Sequence, residues 1–235
     1  MLRSIVAFAF LLQSLAILPA VAAETIKIAF IDPLSGPFAN VGEMEVRAYR
    51  YAIDLVNARG GVLGGTKLEL VTFDNKANPQ DALLALKQAS DQGIRYITQG
   101  NSSAVALALS DAVSKQIARD PEHPVLFLNY AAVDPALTNE RCSFWHFRFD
   151  ADADMKMSAL TDTMAGTKNV KKVYLLNQDY SFGQAVARAA RVMLAQKRPD
   201  IMIVGDDLHA LGKVKDFSPY VAKIRASGAD SVITG

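Results

Sequence analysis

The sequence predicts an α/β protein made of two lobes of parallel sheet with flanking helices, the second lobe incomplete within these 235 residues. Three observations carry that prediction. Short β-rich runs alternate strictly with longer stretches of helical periodicity, which argues for parallel strands joined by crossover helices. The series is interrupted once, by an irregular stretch over 131–141, and then starts again. In both series the strand candidates end in a loop of polar or small residues, at the sheet edge where open α/β sheets take up ligands.

Residues 1–23 stand apart and read as a signal peptide. Arg3 supplies the positive charge, residues 5–18 are apolar apart from Gln13 and Ser14, and Pro19 precedes the small residues Ala20, Val21, Ala22 and Ala23. The apolar run is shorter than the ~20 residues that span a bilayer. A cleaved leader is therefore expected, with a mature chain starting at Ala23 or Glu24, a periplasmic location and no insertion into the membrane.

The expected first lobe covers 24–143. It opens with a strand over 25–31 and a helix over 42–58, whose apolar residues Met44, Ala48, Tyr51, Ala52 and Leu55 recur at helical spacing and predict its buried stripe. A strand over 67–73 follows. The next helix, 79–90, is opened by Asn78 as cap and Pro79 at its first position. A strand over 94–98, a helix over 103–118 and a strand over 125–128 complete the first series. The expected second lobe, 144–235, begins with an aromatic extended segment over 144–149. Helix 152–164, strand 172–176, helix 182–197, strand 201–204, helix 217–226 and strand 231–234 come next. With no closing helix before Gly235, further strands of that lobe are expected beyond this sequence.

Composition narrows the function. Removing Arg3 with the leader takes the 25 basic residues to 24, against 24 acidic ones, so no nucleic acid or anionic membrane partner is implied. Cys142 is the only cysteine; it has no disulfide partner here, and a buried or half-buried thiol is expected. His123, His146 and His209 are far apart, and no metal-ligand or nucleophile motif occurs, so neither an enzyme nor a cofactor is expected. Gly60, Gly61, Gly64 and Gly65 follow a helix and precede a strand, the reverse of a dinucleotide loop, and so read as a helix stop and turn. Asp150, Asp152 and Asp154 have the spacing of a calcium loop, but Met155 stands where that loop needs glycine. Acidic residues at a helix start are the better account.

The strand-end loops remain as the candidate site. Asn101, Ser102 and Ser103 follow the third strand and open a helix, offering hydroxyls and free N–H groups to an anion, although one of the serines could equally be a plain N-cap. Loops 130–133 and 179–183 occupy the matching places after later strands.

At these loops the chain resembles the periplasmic leucine and branched-chain amino acid-binding family of ABC-transporter receptors. The segments that carry the likeness are PLSGPFANVGE at 33–43, AIDLVNARGGVLGGTKLELVTFDN at 52–75, NPQDAL at 78–83, NSSAVALALSD at 101–111, NQDYSFGQAV at 177–186 and KDFSPYVAKIRASGAD at 215–230. The resemblance implies two Rossmann-like lobes that close on a ligand like a flytrap and then dock on a membrane permease. It implies that Ser103, with Ser102 beside it, and the backbone of Ala131 and Val133 hold a ligand carboxylate. Phe182 would close over the ligand and Val41 would face its side chain. Some members carry a disulfide whose halves would fall at Ala77 and Ser102, so that bridge is absent here. Amino-acid binders of the family often have Thr where this chain has Val133, which leaves a ligand ammonium without a hydroxyl and favours non-amino carboxylates. A ligand-sensing receptor domain of the same fold is the alternative reading.

Overall fold

The structure is a computed structural model that describes residues 25–235; the signal-peptide reading and both expected mature starts lie outside the described residues. Strand β1 (Thr25–Asp32) sets up the first lobe, because its side chains alternate between two covered faces. Ala29 and Ile31 point into a core with Ile97, Leu109, Val113 and Phe127, beneath helices α2 (Pro79–Asp91) and α3 (Ser103–Arg119). Phe30 points the other way and meets Tyr49 of helix α1 (Ala39–Ala58) edge to face, with ring centroids 5.5 Å apart. Strands β2 (Lys67–Asp74), β3 (Tyr96–Gln99), β4 (Leu126–Asn129) and β5 (His146–Arg148) complete a parallel sheet in the order β2-β1-β3-β4-β5.

Helix α1 turns a different stripe inward from the one its periodicity suggested. Met44, Ala48, Tyr51, Ala52 and Leu55 are all exposed, and Gly42, Val46 and Ile53 are the buried positions. Two stripes of this helix have apolar spacing, and Gly42 decides between them. A Cβ at Gly42 would lie 1.9 Å from the Pro33 carbonyl oxygen, so only glycine lets the helix sit on the loop after β1.

The expected lobe boundary at 143/144 also moves. Residues 146–148 form β5, the edge strand of the first sheet, bonded to β4 in register Phe127↔His146. The chain therefore crosses between sheets after Arg148. Its aromatic residues misled because Phe147 and Phe149 are exposed and add nothing to the second core. Cys142 is exposed as well, on the turn where its N–H donates to the Asn139 carbonyl, rather than buried.

Helix α4 (Ala153–Ala165) starts the second lobe, and Asp152 caps it by accepting the Met155 N–H at 2.8 Å, so the acidic residues there serve the helix start. Strands β6 (Lys172–Gln178), β7 (Met202–His209) and β8 (Ser231–Ile233) form a parallel sheet in the order β7-β6-β8. Val173 and Leu175 of β6 build the second core with α4 and helix α5 (Ser181–Lys197), through Met157, Ala189, Ala190 and Leu194. Strand β7 is twice as long as expected. Its ladder with β6 runs the full length to Gln178↔His209, with one shift in register between Val173 and Tyr174. Helix α6 (Ser218–Ser227) ends at Gly228, which adopts φ +65° as a left-handed cap.

Arg148 holds the crossing. Its guanidinium donates to the Asp152 carboxylate at 2.9 Å, to the Asp134 carbonyl at 3.2 Å and to Thr138 Oγ1 at 2.9 Å, and both members of the ion pair are nearly buried. The Ala153 N–H also donates to the Val133 carbonyl, so the start of the second lobe is tied to a loop of the first.

Candidate functional site

The candidate site lies at the carboxyl ends of the strands. Ser103 is the first residue of α3 and is 2% exposed. Ser102 before it is extended, and its hydroxyl accepts the Val105 N–H at 3.4 Å, the bond of an N-cap. Ser102 is thus the N-cap, and the Ser103 hydroxyl is left outside that role. Ser103 Oγ accepts the Asp134 N–H at 3.2 Å, so its own proton has no acceptor among the described residues. The Ser103 N–H lies in the first turn, where helix geometry supplies no acceptor and the helix dipole favours an anion.

The loop after β4 is shaped by Asn129, whose side chain is completely buried. Its Oδ1 accepts the Ala131 N–H at 3.2 Å and the Ala132 N–H at 2.7 Å, and its Nδ2 donates to the Ala132 carbonyl at 2.8 Å. Ala131 therefore has its N–H committed and offers only its carbonyl. The Val133 N–H has no acceptor among the described residues, and the next residue, Asp134, is the one bonded to Ser103. Ser102, Ser103, Ala131 and Val133 are thus brought together on two adjoining loops.

Val41 and Phe182 are placed apart from them. Val41 is half-buried in the first turn of α1, and no hydrogen bond or ring contact joins either residue to the serines. Phe182 lies in the first turn of α5, packed against the second core and edge-on to Tyr180, with ring centroids 6.1 Å apart. Gly183 fixes that turn, since a Cβ there would fall 2.0 Å from the Gln178 carbonyl oxygen. Tyr180 itself approaches the first lobe: burial, with the Asp134 charge adding to it, pushes its phenol up to about 12. A second approach pairs Gly212 with Phe38, where a Cβ would come 3.2 Å from the ring.

Asp32, Glu45 and Tyr130 form a polar cluster at these loops, and Tyr180 comes from the opposite lobe. Tyr130 and Tyr180 lie in the strand-end loops that the sequence marked, whereas Asp32 and Glu45 escaped it; Asp32 carried a weak signal, as a polar residue just past an apolar strand run, and Glu45 none. A groove of about 580 Å³ between α2 and α3 is lined by Leu83, Leu86, Lys87 and Gln116, and it reaches none of these loops.

Two parallel-sheet lobes that meet through their strand-end loops, one with an uncommitted serine at a helix start, have the architecture of a solute trap. Residues 25–235 match the family described as periplasmic binding protein. The chain belongs to that family. Among relatives in the family, the Leu/Ile/Val-binding protein homolog 4 of Brucella abortus (strain 2308) is 37% identical over 214 residues, 91% of this chain and 51% of that protein. The Leu/Ile/Val-binding protein of Escherichia coli (strain K12) is 27% identical over 213 residues, 91% of this chain and 55% of that protein. A crystal structure of the leucine-, isoleucine-, valine-, threonine- and alanine-binding protein from Brucella ovis, in a closed conformation, superposes with a TM-score of 0.76 at 37% identity. That match covers 91% of this chain and 54% of the Brucella ovis chain. This chain therefore spans about half the length of the relatives it matches.

Proposed function

We propose that this protein is the solute-binding component of an ABC transporter, working in the periplasm, which captures a branched-chain amino acid or a related small carboxylate and delivers it to a membrane permease. The observation that carries this reading is the free donor set at the start of α3: the Ser103 O–H and N–H and the neighbouring Val133 N–H, held together by the bond from Asp134 N to Ser103 Oγ. Three uncommitted donors at a helix N-terminus suit a carboxylate. The relatives named for leucine, isoleucine and valine binding support the ligand class.

Val133 favours a second reading of the ligand. Its side chain is nearly buried and has no hydroxyl to meet an ammonium, so a carboxylate without an α-amino group fits the first-lobe loops at least as well.

Calorimetric titration with L-leucine and with 4-methylpentanoate, its des-amino analogue, tests both. Ser103→Ala removes a charge-assisted hydrogen bond of about 1.5–3 kcal/mol and is expected to weaken carboxylate binding roughly 10- to 150-fold. Unchanged affinity would reduce Ser103 to a packing residue. On the second reading 4-methylpentanoate binds at least as tightly as L-leucine, and Val133→Thr shifts preference toward leucine. Tight leucine binding with no response to the analogue would sink it.

A further inference from the structure

Donors from two different loops converge on one buried carboxylate. Asp32, the last residue of β1, is 0% exposed. Its Oδ2 accepts the Gly100 N–H at 2.8 Å and the Tyr130 O–H at 2.5 Å, and its Oδ1 accepts the Asn101 N–H at 3.1 Å. Gly100 and Asn101 lead directly into Ser102 and Ser103, and Tyr130 leads directly into Ala131 and Val133. Glu45 of α1 closes the far side of the cluster. Its Oε2 lies 2.5 Å from Tyr130 Oη and accepts from Asn101 Nδ2 at 2.5 Å.

The proton count in this arrangement is informative. A phenol has one proton, so Tyr130 donates to one carboxylate and accepts at its other contact, where the carboxyl must supply the hydrogen. Asp32 and Glu45 therefore hold one proton between them. The groups that face Asp32 are Gln99 and Asn101 from the β3 end, Tyr130 from the β4 end, and Glu45 and Tyr49 from α1. Asp74, its register partner on β2, is occupied with the Leu34 and Lys76 N–H groups. No Lys or Arg pairs with Asp32 or Glu45 among the described residues. Burial, which the Glu45 charge reinforces and the bonds from Tyr130, Gly100 and Asn101 oppose, pushes Asp32 up to about 7. Burial raises Glu45 too.

We propose that Asp32 is the positioning residue of the carboxylate site, tying the loop before α3 to the loop after β4 through a proton shared with Tyr130 and Glu45. It rests on the reading of Ser103 and Val133 as the anion donors. When the shared proton leaves, two carboxylates compete for one phenolic hydrogen and repel each other. A carboxyl raised in the folded state contributes stability below its unfolded value and loses it as pH rises through the folded one. The tie is accordingly firmest below about pH 4, weakens as pH rises from there toward about 7, and gains nothing from the shared proton above that.

Hydrogen–deuterium exchange on the full chain reads the loops without any ligand. Asp32→Asn is expected to speed exchange in peptides covering 99–105 and 129–134 by about tenfold, while peptides of α2 stay at wild-type rates. In wild type the loop protection, corrected for intrinsic rate, falls between about pH 4 and pH 7 and levels off above, and Asp32→Asn and Glu45→Gln both flatten that profile. Glu45 is only half-buried, so Glu45→Gln keeps the test alive if Asp32→Asn fails to fold. Wild-type exchange that ignores pH, or loops that ignore both substitutions, would overturn the proposal. Titration with 4-methylpentanoate separates the two ideas. Loops that answer to Asp32 while Ser103→Ala leaves affinity unchanged would keep the positioning role and reject the carboxylate reading. Weaker binding by Ser103→Ala with loops indifferent to Asp32 would do the reverse.

Discussion

The two lobes share a plan at their strand ends but differ in how fully the polar groups buried there are bonded. In the first lobe Asp32, Gln99 and Asn129 end β1, β3 and β4; each is 0% exposed and each is bonded to the loops it carries, with the Gln99 carbonyl oxygen as the exception. In the second lobe Asn177, next to last in β6, is equally buried, yet neither atom of its amide has a partner among the described residues. Ser181 Oγ and His209 Nδ1 nearby are also buried and have no partner among the described residues. A bonded buried polar group contributes about 1 kcal/mol, whereas an unsatisfied one costs about 1–3 kcal/mol. The first lobe therefore commits these polar groups to fixing the loops that follow its strands. The second leaves its own without protein partners among the described residues, next to Tyr180 and Phe182.

The largest effects should come from the two glycines that seat a helix on a strand-end loop. Gly42→Ala and Gly183→Ala each place a Cβ about 2 Å from a carbonyl oxygen, a clash worth about 3 kcal/mol or more. Trp145 is the only tryptophan and packs against the first core, so urea unfolding followed by its fluorescence reports that lobe alone. Gly42→Ala should lower the fluorescence midpoint, and Gly183→Ala should lower the circular-dichroism midpoint while leaving the fluorescence one in place. Coincident shifts for both variants would mean that the lobes unfold as one unit.

Breaking the crossing comes next. Arg148→Met leaves Asp152 nearly buried without its counter-charge and removes the bonds to Asp134 and Thr138, for an expected loss of about 3 kcal/mol. Both probes should register it, because Arg148 ends the first sheet and braces the start of the second lobe.

A sharper test of the contrast exchanges matching asparagines for leucine. Asn129→Leu strands the Ala131 and Ala132 N–H groups and should cost about 1–3 kcal/mol, and it should also loosen the candidate site. Asn177→Leu removes an amide with no partner among the described residues, and should be neutral or stabilising by about 1 kcal/mol in thermal denaturation. Equal losses at the two positions would erase the distinction between the lobes.

The smallest effect is a pH dependence confined to the first lobe. Burial, with the Arg148 charge adding to it, pushes the His146 imidazolium down to about 4 from an ordinary 6.5. Over that interval the unfolded chain binds more protons, so stability falls as pH drops from 6.5 toward 4. His146→Phe should remove a loss on the order of 1 kcal/mol from the fluorescence-detected melt at about pH 5 and change little at pH 7. A melt as acid-sensitive as wild type would place the titration elsewhere.

What the sequence by itself determined is local. Strand and helix alternation, the Asn78 and Pro79 helix start, the acidic helix start around Asp152 and the glycine turn at 60–65 all depend on neighbours within a few residues, and each lies in the structure where its chemistry requires. Ser103 was legible for the same reason, as a polar residue at a helix start, although only its bond from Asp134 separates its role from that of Ser102. Tertiary structure decided the rest. Periodicity gives α1 two possible stripes and cannot say which one Gly42 will press onto Pro33. An aromatic run reads as extended, but its sheet is settled by which edge has free N–H and C=O groups, and β4 offered them to β5. Asp32 and Tyr130 are 98 residues apart, Glu45 and Tyr130 are 85 apart, and no pattern along the chain pairs them. They meet because parallel strands deliver their carboxyl ends to one side of a sheet, so the chemistry of the site is assembled by topology.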